Sequence, residues 1–286
     1  MHLLCATSGL AGLATDRVMA MRNNLDCDRH VQVLFVKLPN PVRQKLLAGE
    51  PSFGSFLNLV SPMAAEVLIE IGYEWLAVDA EHAQWDMGSM TEAFRAIEAH
   101  GGVPMTRVQS HDPVVLAQTL DAGAMGIIVP HVSTVEQAEA IAQACRYPPR
   151  GQRSIGSARA TITRGQIPQM NDEILVCPQI EDMEGVNNIE AIMAVDGMDV
   201  AFIGPSDLAA SMGLESSDLF VHKDHVAAID AILAGAKANG KPAGTPIGDV
   251  AKARKLMEQG FTFIDFGNDT NFMSTSATDV LGALQA

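Results

Sequence analysis

Two acidic side chains, Glu181 in Gln179-Ile-Glu181 and Asp207 in Gly204-Pro-Ser-Asp207, each follow a short β-rich run. If those runs are neighbouring strands, the carboxylates stand side by side as hard oxygen ligands without soft neighbours, which suits Mg²⁺ or Mn²⁺ better than a structural zinc ion. Two protein ligands leave positions open for water and for a chelating 2-oxo acid, whose keto oxygen and carboxylate can both bind one cation acting as a Lewis acid. Asp207 also falls in the first turn of an expected helix, Ser206 to Ser211, whose free N–H groups and positive dipole end favour a carboxylate. The plainer alternative is that Asp207 caps that helix.

His82 stands three residues after Asp79 in Val78-Asp-Ala-Glu-His82, where a carboxylate could hold its tautomer and so make it a general base working near neutral pH. Arg107, at the end of another β-rich run, brings a fixed fork of donors and a permanent charge suited to an oxyanion or enolate oxygen. A salt bridge to Glu81 or Asp79 is its structural alternative.

These residues need a frame, and the chain is long enough to build one. Its 286 residues are 48% apolar and 19% charged, sufficient for one large α/β domain. Nineteen Lys plus Arg against 34 Asp plus Glu leave a net charge of −15, which argues against a nucleic-acid backbone or an anionic membrane as partner. Cys5, Cys27, Cys145 and Cys177 lie far apart with no CxxC pair, so they read as small buried hydrophobes of a protein in a reducing, cytoplasmic compartment. No apolar run reaches the ~18–20 residues of a membrane span. Met1 to Ala14 lacks the preceding Lys or Arg of a signal peptide. Residues 1–36 read as a leader, partly disordered, with a brief β-like run at Val31–Val36; the domain proper is expected over 37–286.

From Pro51 onward short β-rich runs alternate with longer amphipathic ones. Strands are expected at Phe53–Leu59, Trp75–Asp79, Val103–Val108, Gly126–Pro130, Ile174–Ile180, Asp199–Ile203, Pro242–Thr245 and Phe263–Phe266, with helical patterns such as Met63–Ile71, Ser89–His100, Val114–Ala122 and Val135–Ala144 between them. Eight βα units in this length predict a single-domain (β/α)₈ TIM barrel with an N-terminal extension; a doubly wound open sheet is the alternative. The polar residues favour the barrel, because Asp79-Ala-Glu-His82, Arg107, Pro130-His131, Gln179-Ile-Glu181 and Gly204-Pro-Ser-Asp207 all fall at or just beyond strand C-termini, where barrel active sites gather.

Four strings, Tyr73-Glu-Trp-Leu-Ala-Val-Asp-Ala-Glu-His82, Arg146-Tyr-Pro-Pro-Arg-Gly-Gln-Arg-Ser-Ile-Gly156, Gln179-Ile-Glu181 and Phe202-Ile-Gly-Pro-Ser-Asp-Leu208, resemble the metal-dependent pyruvate aldolases of the HpcH/HpaI type. The resemblance runs from about Pro41 to Leu284. It implies a (β/α)₈ barrel, a divalent cation (Mg²⁺, Mn²⁺ or Co²⁺) and reversible cleavage of a 4-hydroxy-2-oxo acid to pyruvate and an aldehyde. It further implies that Glu181 and Asp207 hold the metal, that His82 with Asp79 handles protons, and that Arg107 polarises the pyruvyl keto or enolate oxygen. Gln179 and the Ser206 and Asp207 amides, with Gly204 and Pro205 in the same loop, would position the pyruvate moiety. Phe56 stands where the family commonly has Trp. Asp121, in Leu120-Asp-Ala-Gly123, matches an acid that relatives place near a neighbouring subunit's site, and relatives assemble as homo-hexamers with a helix exchanged between barrels. Ala80 and Gln84-Trp85 depart from the family pattern, so the loop over the aldehyde side is altered. Gly244–Gly248 and Asp265–Asp269 are particular to this chain and could read the distal part of the substrate.

A Schiff-base aldolase needs a desolvated lysine, yet no lysine falls at the C-terminal end of an expected strand, and Lys241 precedes its strand. No GxGxxG follows a strand and no GxxxxGK[ST] occurs, so a nucleotide-dependent reaction has no support. The remaining alternatives are an oxaloacetate decarboxylase or a citrate-like condensing enzyme using the same metal-enolate site, and a barrel that only binds an oxo acid.

Overall fold

The computed structural model describes residues 38–164 and 167–286, so the expected leader, with Val31–Val36, Cys5 and Cys27, lies outside the described residues. Eight parallel strands close on one another in chain order: β1 (Ser52–Leu57), β2 (Trp75–Asp79), β3 (Val103–Arg107), β4 (Gly126–Val129), β5 (Leu175–Ile180), β6 (Ala201–Ile203), β7 (Ala243–Ile247) and β8 (Phe263–Asn268). Closure is made by β8 pairing with β1, with a register irregularity between Gly54 and Phe56. This is the (β/α)₈ barrel expected from the repeat pattern, and it sets aside the open sheet.

Helix α1 (Pro41–Leu47) precedes the barrel, and α2 (Pro62–Ile71), α3 (Met87–Ala99), α4 (Pro113–Ala122) and α5 (Val135–Cys145) follow the first four strands. Two short helices that the sequence pattern did not reveal, α6 (Arg159–Arg164) and α7 (Ile167–Glu173), precede β5. The circuit is completed by α8 (Met183–Ala194), α9 (Pro205–Ser211), α10 (Lys223–Ala238), α11 (Val250–Gln259) and α12 (Asp269–Gln285). Most helices that follow a strand begin on an oxygen-bearing side chain that accepts first-turn N–H groups: Ser61, Asp86, Asp112, Thr134, Asp182, Asp249 and Asn268. Such caps satisfy donors that would otherwise be orphaned.

The barrel interior has an aromatic floor. The rings of Trp75 and Phe263 stack at 4.1 Å, Phe202 meets Phe263 edge-on at 5.9 Å, and Phe56 meets Phe202 at 6.3 Å. Gly54 makes this possible, since a Cβ there would lie 1.9 Å from the Trp75 ring. At the opposite end from the site, buried Arg146 donates to the carbonyls of Ile174 (3.1 Å) and Gly197 (3.0 Å) and to Asp199 Oδ2 (2.7 Å), tying the entries of β5 and β6 together. Cys145 and Cys177 are buried free thiols, as expected; burial pushes the Cys145 thiol up to about 12. No helix among the described residues is long and apolar enough to cross a membrane.

Candidate functional site

Above the aromatic floor, the C-terminal ends of β1, β2, β3, β5 and β8 and the residues just after β4 and β6 converge. Arg107 is the centre of the arrangement. Its guanidinium meets Asp79 bidentately, with Nε donating to Oδ1 at 3.0 Å and Nη2 to Oδ2 at 2.7 Å, and its Nε lies 3.2 Å from Glu81 Oε2. The Arg107 Cζ sits 4.6 Å above the Phe56 ring, a cation–π contact that fixes the plane of the fork. Asn58, which the sequence did not single out, donates from Nδ2 to Asp79 Oδ2 at 2.8 Å. Asp79 is 2% exposed. Burial alone would raise its carboxyl, but the bonds and charge of Arg107, with the Asn58 and His82 N–H groups, outweigh burial and hold it below its ordinary 3.8. Arg107, though desolvated, is held firmly charged by Asp79, Glu81 and Glu181. The expected salt bridge is therefore present, and it does not exclude the expected donor role: the carboxylates orient the fork at the mouth.

His82 departs from expectation. Asp79 accepts the His82 backbone N–H (3.3 Å), not its ring, and the ring lies nearest Glu81, with Nε2 3.6 Å from Oε2. The reason is competition: both Asp79 oxygens are committed to Arg107 and Asn58. Glu81 thus takes the place expected of Asp79 beside the imidazole. His131, noted in the sequence only as a strand-end residue, approaches Glu81 from the other side at 3.6 Å. It adopts φ 55°, an uncommon left-handed conformation for a bulky residue. That turn aims two groups at Glu181 Oε1, the His131 backbone N–H (2.6 Å) and ring Nδ1 (3.0 Å).

Glu181 is buried, and its other oxygen accepts from Gln179 Nε2. Burial pushes its carboxyl above the ordinary 4.5; the charge of Asp207 adds to the rise, while the Gln179 and His131 contacts oppose it. Asp207 is exposed and lies in the first turn of α9. The N-cap of α9 is Gly204, with no side-chain cap, so Asp207 is not the capping residue. Gly204 is needed for a close approach, because a Cβ there would sit 2.3 Å from Glu181 Oε2 and 3.0 Å from Gln179 Nε2. Pro205 and Ser206 line, with Phe56 and Arg107, a cavity of about 510 Å³ that continues to Asp265, Asn271 and Lys252 on the β7–β8 side. Lys252, at the start of α11, was not anticipated at this rim because it follows its strand by several residues. Lys241 lies at the opposite rim, donating to the Met193 and Val195 carbonyls.

Among the described residues no group of three or more His, Cys, Asp or Glu is gathered as a metal-binding cluster. The donor set to test is therefore Glu181 with Asp207. Their mutual repulsion, relieved by a cation between them, and a buried Gln179 Oε1 with no hydrogen-bond partner fit a hard divalent ion with open positions. Trp85, one of the departures from the family pattern, is buried and donates from Nε1 to the Leu57 carbonyl at 2.9 Å, pinning the β2–α3 loop to the end of β1. Asp121 lies at the end of α4, away from this mouth, and accepts from buried Arg153 at 2.5 Å.

Comparison with known proteins agrees with this architecture. Residues 52–275 match the family described as HpcH/HpaI aldolase/citrate lyase. The chain is 35% identical over 248 residues to a hydroxypyruvate/pyruvate aldolase from Pseudomonas aeruginosa, a match covering 85% of this chain and 92% of that protein. It is 36% identical over 245 residues to a 4-hydroxy-2-oxo-heptane-1,7-dioate aldolase from Salmonella dublin, covering 84% and 92%. A solved HpcH/HpaI aldolase/citrate lyase family protein from Burkholderia cenocepacia J2315 superposes with a TM-score of 0.81 at 33% identity, over 86% of this chain and all of that one. With eight strands closed in order and an acid-rimmed arginine at their C-terminal ends, this chain is a carbon–carbon lyase belonging to the HpcH/HpaI aldolase/citrate lyase family.

Proposed function

We propose that this protein reversibly cleaves a 4-hydroxy-2-oxo acid to pyruvate and an aldehyde, with a divalent cation (Mg²⁺, Mn²⁺ or Co²⁺) held by Glu181 and Asp207. The observation that carries the reading is the pairing of buried Glu181 with rim Asp207 at the mouth where Arg107 is fixed. A bound cation supplies Lewis-acid polarisation of the keto oxygen. Arg107 places its permanent charge where the enolate oxygen develops, and it enters the reaction already oriented by Asp79, Glu81 and Phe56. Gln179, Gly204, Pro205 and the amides of Ser206 and Asp207 position the pyruvate moiety. His82, exposed beside Glu81, takes the C4 hydroxyl proton as the C3–C4 bond breaks and gives a proton back to C3 of the enolate, while Asp79 touches it only at the His82 backbone N–H.

The barrel over 37–286 is the working domain, with 1–36 an appended leader, and the compartment is the cytoplasm, in keeping with two buried free thiols. The protein works as a homo-oligomer, a hexamer by family likeness, with a helix exchanged between barrels. Asp269 is the buried residue of α12, whereas Met273, Val280, Leu281 and Leu284 on the same helix are exposed. Between α12 and α2 lies an apolar cavity of about 510 Å³ that includes Met63, Val67, Ile71 and Phe272. Burying these apolar residues against a partner removes surface that a monomer would leave wet. In such an assembly Asp121 contributes to a neighbour's site.

The test is pyruvate release from a panel of 4-hydroxy-2-oxo acids and oxaloacetate, followed with lactate dehydrogenase and NADH, first in EDTA and then with each metal restored. Release from the hydroxy-oxo acids that returns with metal is expected. Release from oxaloacetate alone would reassign the protein as a decarboxylase.

A further inference from the structure

Asp265 is a buried acid to which the reaction described above gives no task. It follows Phe263 by two residues on β8 and so faces the same, inner side of the barrel, above the Trp75–Phe263 stack. Only 2% exposed, it nevertheless lines the cavity that holds Phe56, Arg107 and Ser206. Its Oδ1 has no hydrogen-bond partner among the described residues. Arg107 does not supply one: its Nε and Nη2 are turned to Asp79 and Glu81.

Burial raises the Asp265 carboxyl well above the ordinary 3.8; the charge of Asp79 adds to the rise, while Arg107 and the Phe56 N–H oppose it. The shift favours the protonated form, in which the carboxyl donates a hydrogen bond as well as accepting one. Leaving such a group without a partner is costly, and a ligand oxygen would complete it.

The strand order says which part of a ligand that is. Glu181 and Asp207 sit at the ends of β5 and β6, whereas β8 lies three strands from β5 across the closed ring. A 2-oxo acid gripped near Glu181, Ser206 and Arg107 therefore directs its far end toward β7 and β8, where the cavity wall becomes polar with Asp265, Asn268 and Asn271. We propose that Asp265 is a specificity-determining residue whose carboxyl hydrogen-bonds a hydroxyl of the aldehyde fragment, so that the enzyme selects substrates bearing a hydroxyl beyond the broken bond. This assignment rests on the pyruvate-aldolase function proposed above.

Two aldehydes of nearly equal size test it in the condensing direction with pyruvate: glycolaldehyde, which carries the hydroxyl, and acetaldehyde, which does not. The quantity to compare is the ratio of kcat/KM for the two, in wild type, Asp265→Ala and Asp265→Asn. Wild type is expected to prefer glycolaldehyde. Asp265→Ala reduces that preference about tenfold, the scale of one satisfied hydrogen bond, and Asp265→Asn, which keeps a donor in place, retains most of it. Should Asp265→Ala fail to fold, Asp265→Leu, of similar shape without polar atoms, gives the same comparison. A ratio equal to wild type in the apolar variants, or a ratio lost as fully in Asp265→Asn, overturns the assignment while leaving the aldolase reading intact. A wild type that joins neither aldehyde to pyruvate with any of the three metals overturns the function and this assignment with it.

Discussion

Gly204→Ala places one methyl group against the proposed metal ligand and, at 3.0 Å, against the Gln179 Nε2 that donates to it. The added Cβ would stand 2.3 Å from Glu181 Oε2 and 2.9 Å from Glu181 Cβ, whereas ordinary van der Waals contact begins at 3.4 Å. The carboxylate must therefore retreat by roughly 1 Å, and it cannot do so freely because His131 N–H holds its other oxygen at 2.6 Å. A misplacement of about 1 Å at a reacting centre costs on the order of 10²-fold in rate. We expect that loss in kcat/KM for pyruvate release, together with weaker Mn²⁺ binding by electron paramagnetic resonance. The fold should survive, since Gly204 has φ −94°, a conformation open to alanine. Gly248→Ala is the matched control: it lines the same cavity, but a Cβ there meets nothing within 4 Å. A Gly204→Ala enzyme with wild-type Mn²⁺ affinity and turnover would show that Glu181 is not where the cation binds.

Arg107→Ala should lower kcat by on the order of 10² or more, as loss of an oxyanion donor does. Arg107→Lys should recover little of it, because a point charge replaces neither the two-pronged grip on Asp79 nor the Phe56 contact; wild-type-like turnover in Arg107→Lys would refute that geometry. Glu181→Gln should abolish most metal-dependent activity and metal binding while keeping the melting temperature, and in wild type protons should begin to displace the metal at a pH above the ordinary glutamate value of 4.5, because the carboxyl is raised. Asp265→Asn should be more stable than wild type by a margin that grows with pH. The unfolded chain loses the Asp265 proton near 3.8 and the folded chain only well above it, so wild-type stability falls as pH rises through that window, while asparagine has no proton to lose. Paired urea titrations at pH 4 and pH 8 would expose a constant difference, which would contradict the raised carboxyl.

The barrel was legible because its signals are local: alternation of short β-rich and longer amphipathic runs, and capping side chains where strands hand over to helices. Strand ends were blurred where long-range side-chain contacts decide them. The first strand stops at Leu57 instead of Leu59 because Asp269 captures the N–H groups of Asn58 and Leu59 at 2.8 and 3.1 Å. The sixth begins at Ala201 instead of Asp199, whose carboxylate is bound by Arg146 and the Val176 N–H. Within the site, the strand-end positions of Asp79, Arg107, Glu181 and Asp207 could be read from spacing. The direction of the His82 ring could not, since it depends on which acid has free oxygens, and Asn58 and the contacts of His131 with Glu81 and Glu181 became visible only when the strands were brought together. Asp121, paired with Arg153, joins no part of this mouth among the described residues.

The aromatic floor and the pinned β2–α3 loop also divide the molecule optically. Its two tryptophans are Trp75, stacked on Phe263 beneath the site, and Trp85, hydrogen-bonded to Leu57 near the rim. One indole therefore reports on the integrity of the barrel and the other on the loop beside the mouth. Replacing Trp85 with phenylalanine leaves a fluorescence signal from the floor alone, so comparison with wild type separates the emission of the loop from that of the barrel without any label.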